Sequence, residues 1–165
     1  MVTPMRVGHG HDTHRFGEER PLLIGGVEIP HPIGLVGHSD ADVLFHAVTD
    51  ALLGATGQGD IGEWFPDTDP AHKDQDSREL LADVVASVRK LGAEIVNIDC
   101  TIHAQRPKLS PHKPAIRESV ARTLGIPADR VNIKAKTGEK VGPIGRSEAI
   151  VADAVVLVSM EGTGS

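Results

Sequence analysis

The eight residues from Val96 to His103, VNIDCTIH, decide the fold. Val96, Ile98, Cys100 and Ile102 alternate with Asn97, Asp99, Thr101 and His103, the period-two pattern of a strand with one face in a core. Val131, Ile133 and Ala135 repeat that alternation further on. The run from Ala149 to Met160 is instead apolar on both faces apart from Asp153 and Ser159, which reads as a central strand. Short strands are expected around Met5 to His11, Pro21 to Ile24 and Gly26 to Ile29, the last two separated by a Gly25-Gly26 turn signal.

Three helices complete the set. SDAD, from Ser39, reads as a capping box, so a helix should start at Ser39 and turn Leu44, Ala47, Val48, Ala51 and Leu52 inward. A second runs from about Ser77 to Leu91, with Leu80, Leu81, Val84, Val85, Val88 and Leu91 as its buried stripe and Gly92 as its stop. A third opens at Ser110-Pro111 and ends near Gly125. The expected fold is α+β: a mixed β-sheet with helices packed on one face, in a ferredoxin-like arrangement. The other sheet face carries Asn97, Asp99, Thr101, Asn132, Lys134 and Lys136, which a subunit partner could cover. No repeat, low-complexity tract or linker divides the chain, so residues 1–160 read as one domain and 161–165 as a flexible tail.

Composition excludes several partners. At 165 residues and 39% hydrophobic, the chain can bury one sizeable core. Aromatics are 2% and the formal charge is −6, which leaves neither stacking platforms nor a basic surface for nucleic acid. The lone Cys100 precludes an internal disulfide, MVTPMRVGHG lacks an apolar secretion segment, and no run approaches the ~20 apolar residues of a membrane span. A cytoplasmic protein without a membrane partner is expected.

The chemistry begins at Gly8 with GHGHDTHRF, in which three histidines and an aspartate fall between His9 and His14. On a strand, Asp12 and His14 point to the same side and form half a metal site. Asp42, His46 and Asp50 lie four apart along one edge of the first helix and offer the rest. Two histidines and one carboxylate from separate elements leave a fourth position open, the pattern of a catalytic zinc site. Read singly, such residues are equally well solvated or capping groups, and His9, His11, His31, His72 and His112 are taken that way. His38 lies just before the cap, where free N–H groups can meet an anion. GDIGEWFPDTDP, from Gly59, is too irregular for a helix. AQRPKLSPH, from Ala104, leads from a strand into a helix N-terminus, and KAKTGEKVG, from Lys134, brings Lys136, Thr137 and Glu139 together for a phosphate and a hard cation such as magnesium. Each of these stretches also reads as a surface turn.

Taken in order, GHGHDTH, GHSDADVLFHAVTDALLGATGQGDIGEWFPDTDP, DSRELL, AQRPKLSPH and KAKTGEKVGPIGRSE resemble the 2-C-methyl-D-erythritol 2,4-cyclodiphosphate synthases over nearly the whole chain. The resemblance implies a metal-dependent conversion of 4-diphosphocytidyl-2-C-methyl-D-erythritol 2-phosphate to the cyclic diphosphate and CMP. It implies zinc on Asp12, His14 and His46, and magnesium or manganese, ligated by Glu139, bridging the substrate diphosphate. His38, Lys136 and Thr137 fall on its catalytic positions. Substrate contacts fall on His38 and Ser39 for the diphosphate, on Asp60, Ile61 and Gly62 for the ribose segment, and on Phe65, Pro66, Asp67, Thr68 and Asp69 for methylerythritol. The cytidine pocket falls on Ala104, Gln105, Arg106, Pro107, Lys108, Leu109 and Ser110, completed by Lys136, Thr137, Gly138 and Glu139.

The resemblance further implies a homotrimer with active sites at subunit interfaces and Arg146 near the trimer axis. Three departures stand out: Gly138 replaces a frequent threonine, Ser110 a commoner apolar residue, and Pro143 a frequent aromatic. The last lies at the mouth of a central cavity that in some members holds an isoprenoid diphosphate, a ligand not expected here. A zinc-dependent nucleotide hydrolase and a non-catalytic trimeric metal-binding protein are the alternatives from other classes.

Overall fold

The histidine-rich stretch lies in β1 (Met5–Glu18), which runs well past the expected end at His11. A computed structural model describes residues 3–161 of the chain. Short β2 (Leu22–Ile24) and β3 (Val27–Ile29) pair as a hairpin across Gly25 and Gly26, whose φ values of 59° and 72° are left-handed, as the turn signal required. Then come β4 (Gly34–Leu35), α1 (Val43–Thr56), α2 (Ile61–Trp64) and α3 (Ser77–Lys90). The chain closes with β5 (Ala93–His103), α4 (Lys113–Leu124), β6 (Val131–Lys136), α5 (Gly142–Gly145) and β7 (Ala149–Met160).

Five strands form one mixed sheet in the order β4-β1-β7-β5-β6. Only the β5–β6 pair is parallel. Helices α1, α3 and α4 cover a single face, onto which Ile150, Ala152, Ala154, Val156 and Val158 of β7 are buried. The contact between α1 and β1 is unusually close. A Cβ on Gly8 would stand 1.8 Å from the Ala51 carbonyl oxygen, and one on Gly10 1.7 Å from that of Ala47. Strand backbone therefore lies directly against helix backbone, and the next residues along each element are brought within reach of one another. No helix among the described residues is long and apolar enough to cross a membrane.

The structure corrects several local expectations. Ser39 is not the cap of the first helix: Asp42 is, and its carboxylate accepts from Phe45 N at 3.0 Å. The buried Asp42 side chain also accepts from Gly25 N (2.8 Å) and Gly26 N (2.6 Å), tying the hairpin to the helix start. Leu91, the C-cap just past the last residue of α3, is 51% exposed, and the chain turns away at Gly92, at φ 74°. A bulge between Ile95 and Asn97 gives Ile95 the inward place expected for Val96, which is only half-buried. The run Ser110–His112 is a 3₁₀ turn leading into α4 rather than the first turn of an α-helix. On β7 the outward face is apolar as expected but open in a single chain, with Val155 43% exposed. Glu161 donates its amide to Gly92 O at 2.7 Å, and the remainder of the expected tail lies outside the described residues.

Candidate metal centre and adjoining clefts

On β1, Asp12 and His14 follow Gly8 and Gly10 on the helix-facing side, and His46 immediately precedes Ala47, the helix residue that Gly10 touches. The close approach of α1 thus carries His46 onto the strand pair. Its Nδ1 is 3.1 Å from Asp12 Oδ2 and 3.2 Å from His14 Nε2, and His14 Nε2 is 2.9 Å from the same carboxylate oxygen. Among the described residues this is the one group of histidine, cysteine and carboxylate donors whose ligand atoms all lie within 4.8 Å of one another.

The rest of each ring is spoken for. His14 Nδ1 donates to the Val36 carbonyl at 2.6 Å, leaving the Nε2 lone pair directed at the cluster. His46 Nε2 lies 2.8 Å from Ser77 Oγ and 3.0 Å from Ser39 Oγ. Ser77 in turn donates its hydroxyl proton to Asp40, so its oxygen accepts from His46 and the imidazole keeps the tautomer with Nδ1 free. This is the hydrogen-bonded support that orients histidine ligands of metals. Burial by itself would raise the Asp12 pKa, but the His14 and His46 rings beside it hold the carboxyl well below the usual range. Burial would lower that of His14, and its bond to Asp12 instead raises it. An anionic oxygen and two oriented imidazoles form a donor set suited to zinc or a similar borderline cation.

Of the helix edge read from sequence, only His46 faces this cluster. Asp42 is committed to the hairpin amides, and Asp50 accepts from Ile61 N at 2.8 Å, anchoring α2. A cavity of about 260 Å³ opens over the cluster, lined by His38, Ser39, Ile61, Gly62, Phe65 and Asp67 as well as the three ligand candidates. His38 Nε2 is buried and has no hydrogen-bond partner, a polar atom left for something the cleft admits. His72, read as a bystander, lines the same cleft with Leu80, its ring edge against Phe65.

Not every expected contact converges there. Asp60 caps α2 through Glu63 N, and Asp69 caps the turn at Pro70–His72 through Ala71 N. Pro66 and Thr68 belong to the intervening loop and are not among the cavity's lining residues. A second cleft of about 250 Å³ gathers Ala104, Gln105, Arg106, Lys108, Leu109 and Ser110 with Lys136 and Thr137, and shares no lining residue with the first. Glu139 sits beyond it at φ 50°, its carboxylate accepting from the Thr137 hydroxyl at 3.2 Å. At Gly138 a Cβ would stand 2.4 Å from Gly145 N, so the departure from threonine goes with a loop folded tightly onto α5. Arg146 pairs with Glu148 at 2.7 Å on the exposed surface. Sequence reasoning missed Ser77 and Asp40. Both are polar groups in stretches already marked as unusual, but their partner is 31 or more residues away in a different element.

Fold and site together define an α+β protein with an Asp-His-His cluster that could hold a metal ion at the floor of a cleft. Residues 5–159 match the YgbB family, and the chain belongs to that family. It is 58% identical over 159 residues to the 2-C-methyl-D-erythritol 2,4-cyclodiphosphate synthase of Bordetella petrii, covering 96% of this chain and 98% of that one. Among solved structures, the bifunctional IspDF of Campylobacter jejuni superposes with a TM-score of 0.93 at 46% identity. That match covers 97% of this chain, which spans 43% of that longer protein. A CDP-bound 2-C-methyl-D-erythritol 2,4-cyclodiphosphate synthase superposes at 0.85 and 41% identity, with 93% and 99% of the two chains covered.

Proposed function

We propose that the chain cyclises 4-diphosphocytidyl-2-C-methyl-D-erythritol 2-phosphate to 2-C-methyl-D-erythritol 2,4-cyclodiphosphate and CMP, a phosphorus-oxygen lyase step of the non-mevalonate isoprenoid route. The observation that carries this reading is the Asp12–His14–His46 cluster beneath a cleft holding the unpartnered His38 Nε2, in a chain whose full-length relatives are synthases.

A phosphate monoester has a second pKa of about 6, so the substrate's 2-phosphate is largely dianionic at neutral pH and attacks without a protein base. Its oxygen bonds to the β-phosphorus as the bond from that phosphorus to the bridging oxygen breaks, and CMP leaves with the electron pair. Asp12, His14 and His46 would hold zinc and Glu139 a magnesium or manganese ion, which would supply the positive charge that crowded phosphates need. His38 donates from Nε2 to the diphosphate, beside Ser39. Lys136 and Thr137 offer a cation and a hydroxyl to the departing CMP. Asp60, Ile61 and Gly62 take the ribose, and the loop Phe65, Pro66, Asp67, Thr68 and Asp69 encloses methylerythritol. The cytosine lies in the second cleft between Ala104 and Ser110, Arg106, Pro107 and Lys108 included. Holding both ends of one molecule makes ring closure intramolecular, and excluding water keeps hydrolysis from competing.

The same reading includes a homotrimer with shared active sites, one domain over residues 1–160, and the cytoplasm as location. Two clefts without a common lining residue, and an open sheet face bearing Val7 at 67% exposure, support the assembly. The ferredoxin-like comparison extends to the single helical layer, while the parallel β5–β6 pair at the sheet edge sets this topology apart. Incubation with the diphosphocytidyl substrate, zinc and magnesium, followed by phosphorus NMR, tests the reaction. A cyclic diphosphate with CMP is expected. Linear phosphate would make the protein a hydrolase, and absence of CMP a metal-binding protein without turnover.

A further inference from the structure

His38 and Ser39 lie in the loop between β4 and α1, outside any helix or sheet ladder that would hold their peptides. Their anchors come from other parts of the chain. The His38 carbonyl accepts from Asp74 N at 2.9 Å, the Ser39 carbonyl accepts from Arg20 Nη1 at 2.8 Å, and the Asp40 amide donates to Gln75 O at 3.3 Å. Because a peptide unit is planar and trans, the first contact fixes the plane between residues 38 and 39, and the other two fix the plane between 39 and 40. Arg20 reaches both. Its Nε is 2.9 Å from Glu18 Oε2, and its Nη2 stands 3.6 Å from Oδ1 of Asp74, the residue whose amide holds His38. Its stem lies over Gly34 of β4, where a Cβ would stand 2.6 Å from Arg20 Cγ and 2.5 Å from the Arg20 carbonyl oxygen. Only a residue without a side chain leaves that room.

We propose that Arg20 is a positioning residue for the diphosphate: by holding the Ser39 carbonyl directly, and the His38 carbonyl through Asp74, it keeps the loop in the one arrangement that offers His38 to the cleft. The proposal rests on the reading of His38 and Ser39 as diphosphate contacts. With both carbonyl oxygens engaged, an entering anion meets the buried, unpartnered His38 Nε2 and not the negative ends of two peptide dipoles. A loop ordered in advance also loses less freedom when the ligand binds. Arg20 is not among the residues lining the cleft, so it acts through the loop rather than on the substrate. Glu18 balances its charge, which makes its part geometric. A guanidinium suits that part, since its rigid planar fork spans carboxylate and carbonyl partners at once, whereas an ammonium is a point charge on a flexible stem.

The test is binding of inorganic diphosphate to the zinc-loaded protein by titration calorimetry, beside zinc uptake and steady-state CMP release. Arg20→Ala should weaken diphosphate binding about 10-fold, the worth of a hydrogen bond from a charged donor. The loss in kcat/KM should fall mainly on KM, and zinc uptake should match wild type. Arg20→Lys keeps the charge but cannot span Glu18, Ser39 and Asp74 together, so it should regain only part of the affinity. A folded Arg20→Ala that binds diphosphate like wild type would overturn the proposal. So would loss of zinc along with diphosphate, which would make the role a general structural one, or full affinity in Arg20→Lys, which would make it one of charge. Should Arg20→Ala fail to fold, Arg20→Lys decides alone: weaker diphosphate with zinc retained is expected, and wild-type affinity overturns. Wild type that binds diphosphate without releasing CMP would end the proposed reaction and leave this comparison standing, whereas wild type that binds no diphosphate would end both.

Discussion

The hydroxyl of Ser77, at the first turn of α3, lies 2.8 Å from Nε2 of His46 on α1, while Nδ1 of the same ring faces Asp12. One serine thus fixes which nitrogen of this candidate metal ligand carries the proton. Ser77→Ala should leave the fold intact, because Ser39 remains 3.0 Å from the same nitrogen, yet weaken zinc binding. Partners of this kind are worth about 10- to 100-fold in metal affinity. Competition against a chromophoric chelator measures it. Asp40→Asn, which keeps the serine, should lose less; a folded Ser77→Ala with wild-type affinity would show that Ser39 alone suffices.

Gly10 sets the distance between strand and helix. A methyl group there has no flexible neighbour to displace, since it meets the Ala47 carbonyl oxygen at 1.7 Å. Gly10→Ala must push α1 off β1, and His46 away from Asp12 with it. Overpacking of this kind costs roughly 1–3 kcal/mol. Urea unfolding should register that loss, and metal affinity should fall in parallel. Unchanged affinity in a destabilised variant would mean that the ligands re-form independently of this contact.

Cys100 gives a pH dependence whose sign can be worked out. Desolvation in the core is the largest influence on the thiol and pushes it up to about 12 from 9.0. Between those values the unfolded chain has lost the proton and the folded one has kept it. Stability therefore falls as pH rises through that window, by about 1.4 kcal/mol per unit for this group. Below pH 9 it contributes no slope. Cys100→Ala should remove that part of the alkaline loss, seen as the difference between denaturation midpoints of the two proteins from pH 8 to 11. Parallel curves would show that the thiol ionises in the folded state.

The sequence was most informative where periodicity and chemistry agreed. The alternation from Ile98 to His103 and the apolar run at Ala149–Met160 read correctly as strands, because side-chain period decides which face is buried. Asp12, His14 and His46 were legible for the same reason, two from a strand period and one from a helix edge. The first helix start was misread because Ser39 and Asp42 both suit a cap. Ala41, at φ 58°, bends the chain between them and leaves Asp42 as the residue that meets the helix amides. His9 and His11 are exposed, as read, but the same period that joined Asp12 to His14 puts them together on the opposite face, both beside Asp153. What completed that group, Asp153 and His103, depended on strand order, which no local pattern encodes.

The proposed assembly can be tested by complementation. If the metal centre and the nucleotide cleft of one working site come from different chains, an inactive His46→Ala protein and a protein inactivated at Thr137 should rescue each other. His46 lies in the first cleft and Thr137 in the second, so neither substitution touches the other's lining. When the two are unfolded together in equal amounts and reassembled, each site draws its metal half and its cleft half independently. An intact metal half is drawn about half the time and an intact cleft half about half the time, so roughly a quarter of sites should be whole. CMP release should return to about a quarter of the wild-type rate, with neither parent active alone. A mixture that stays inactive after mass spectrometry has demonstrated mixed oligomers would put both halves of the site in one chain.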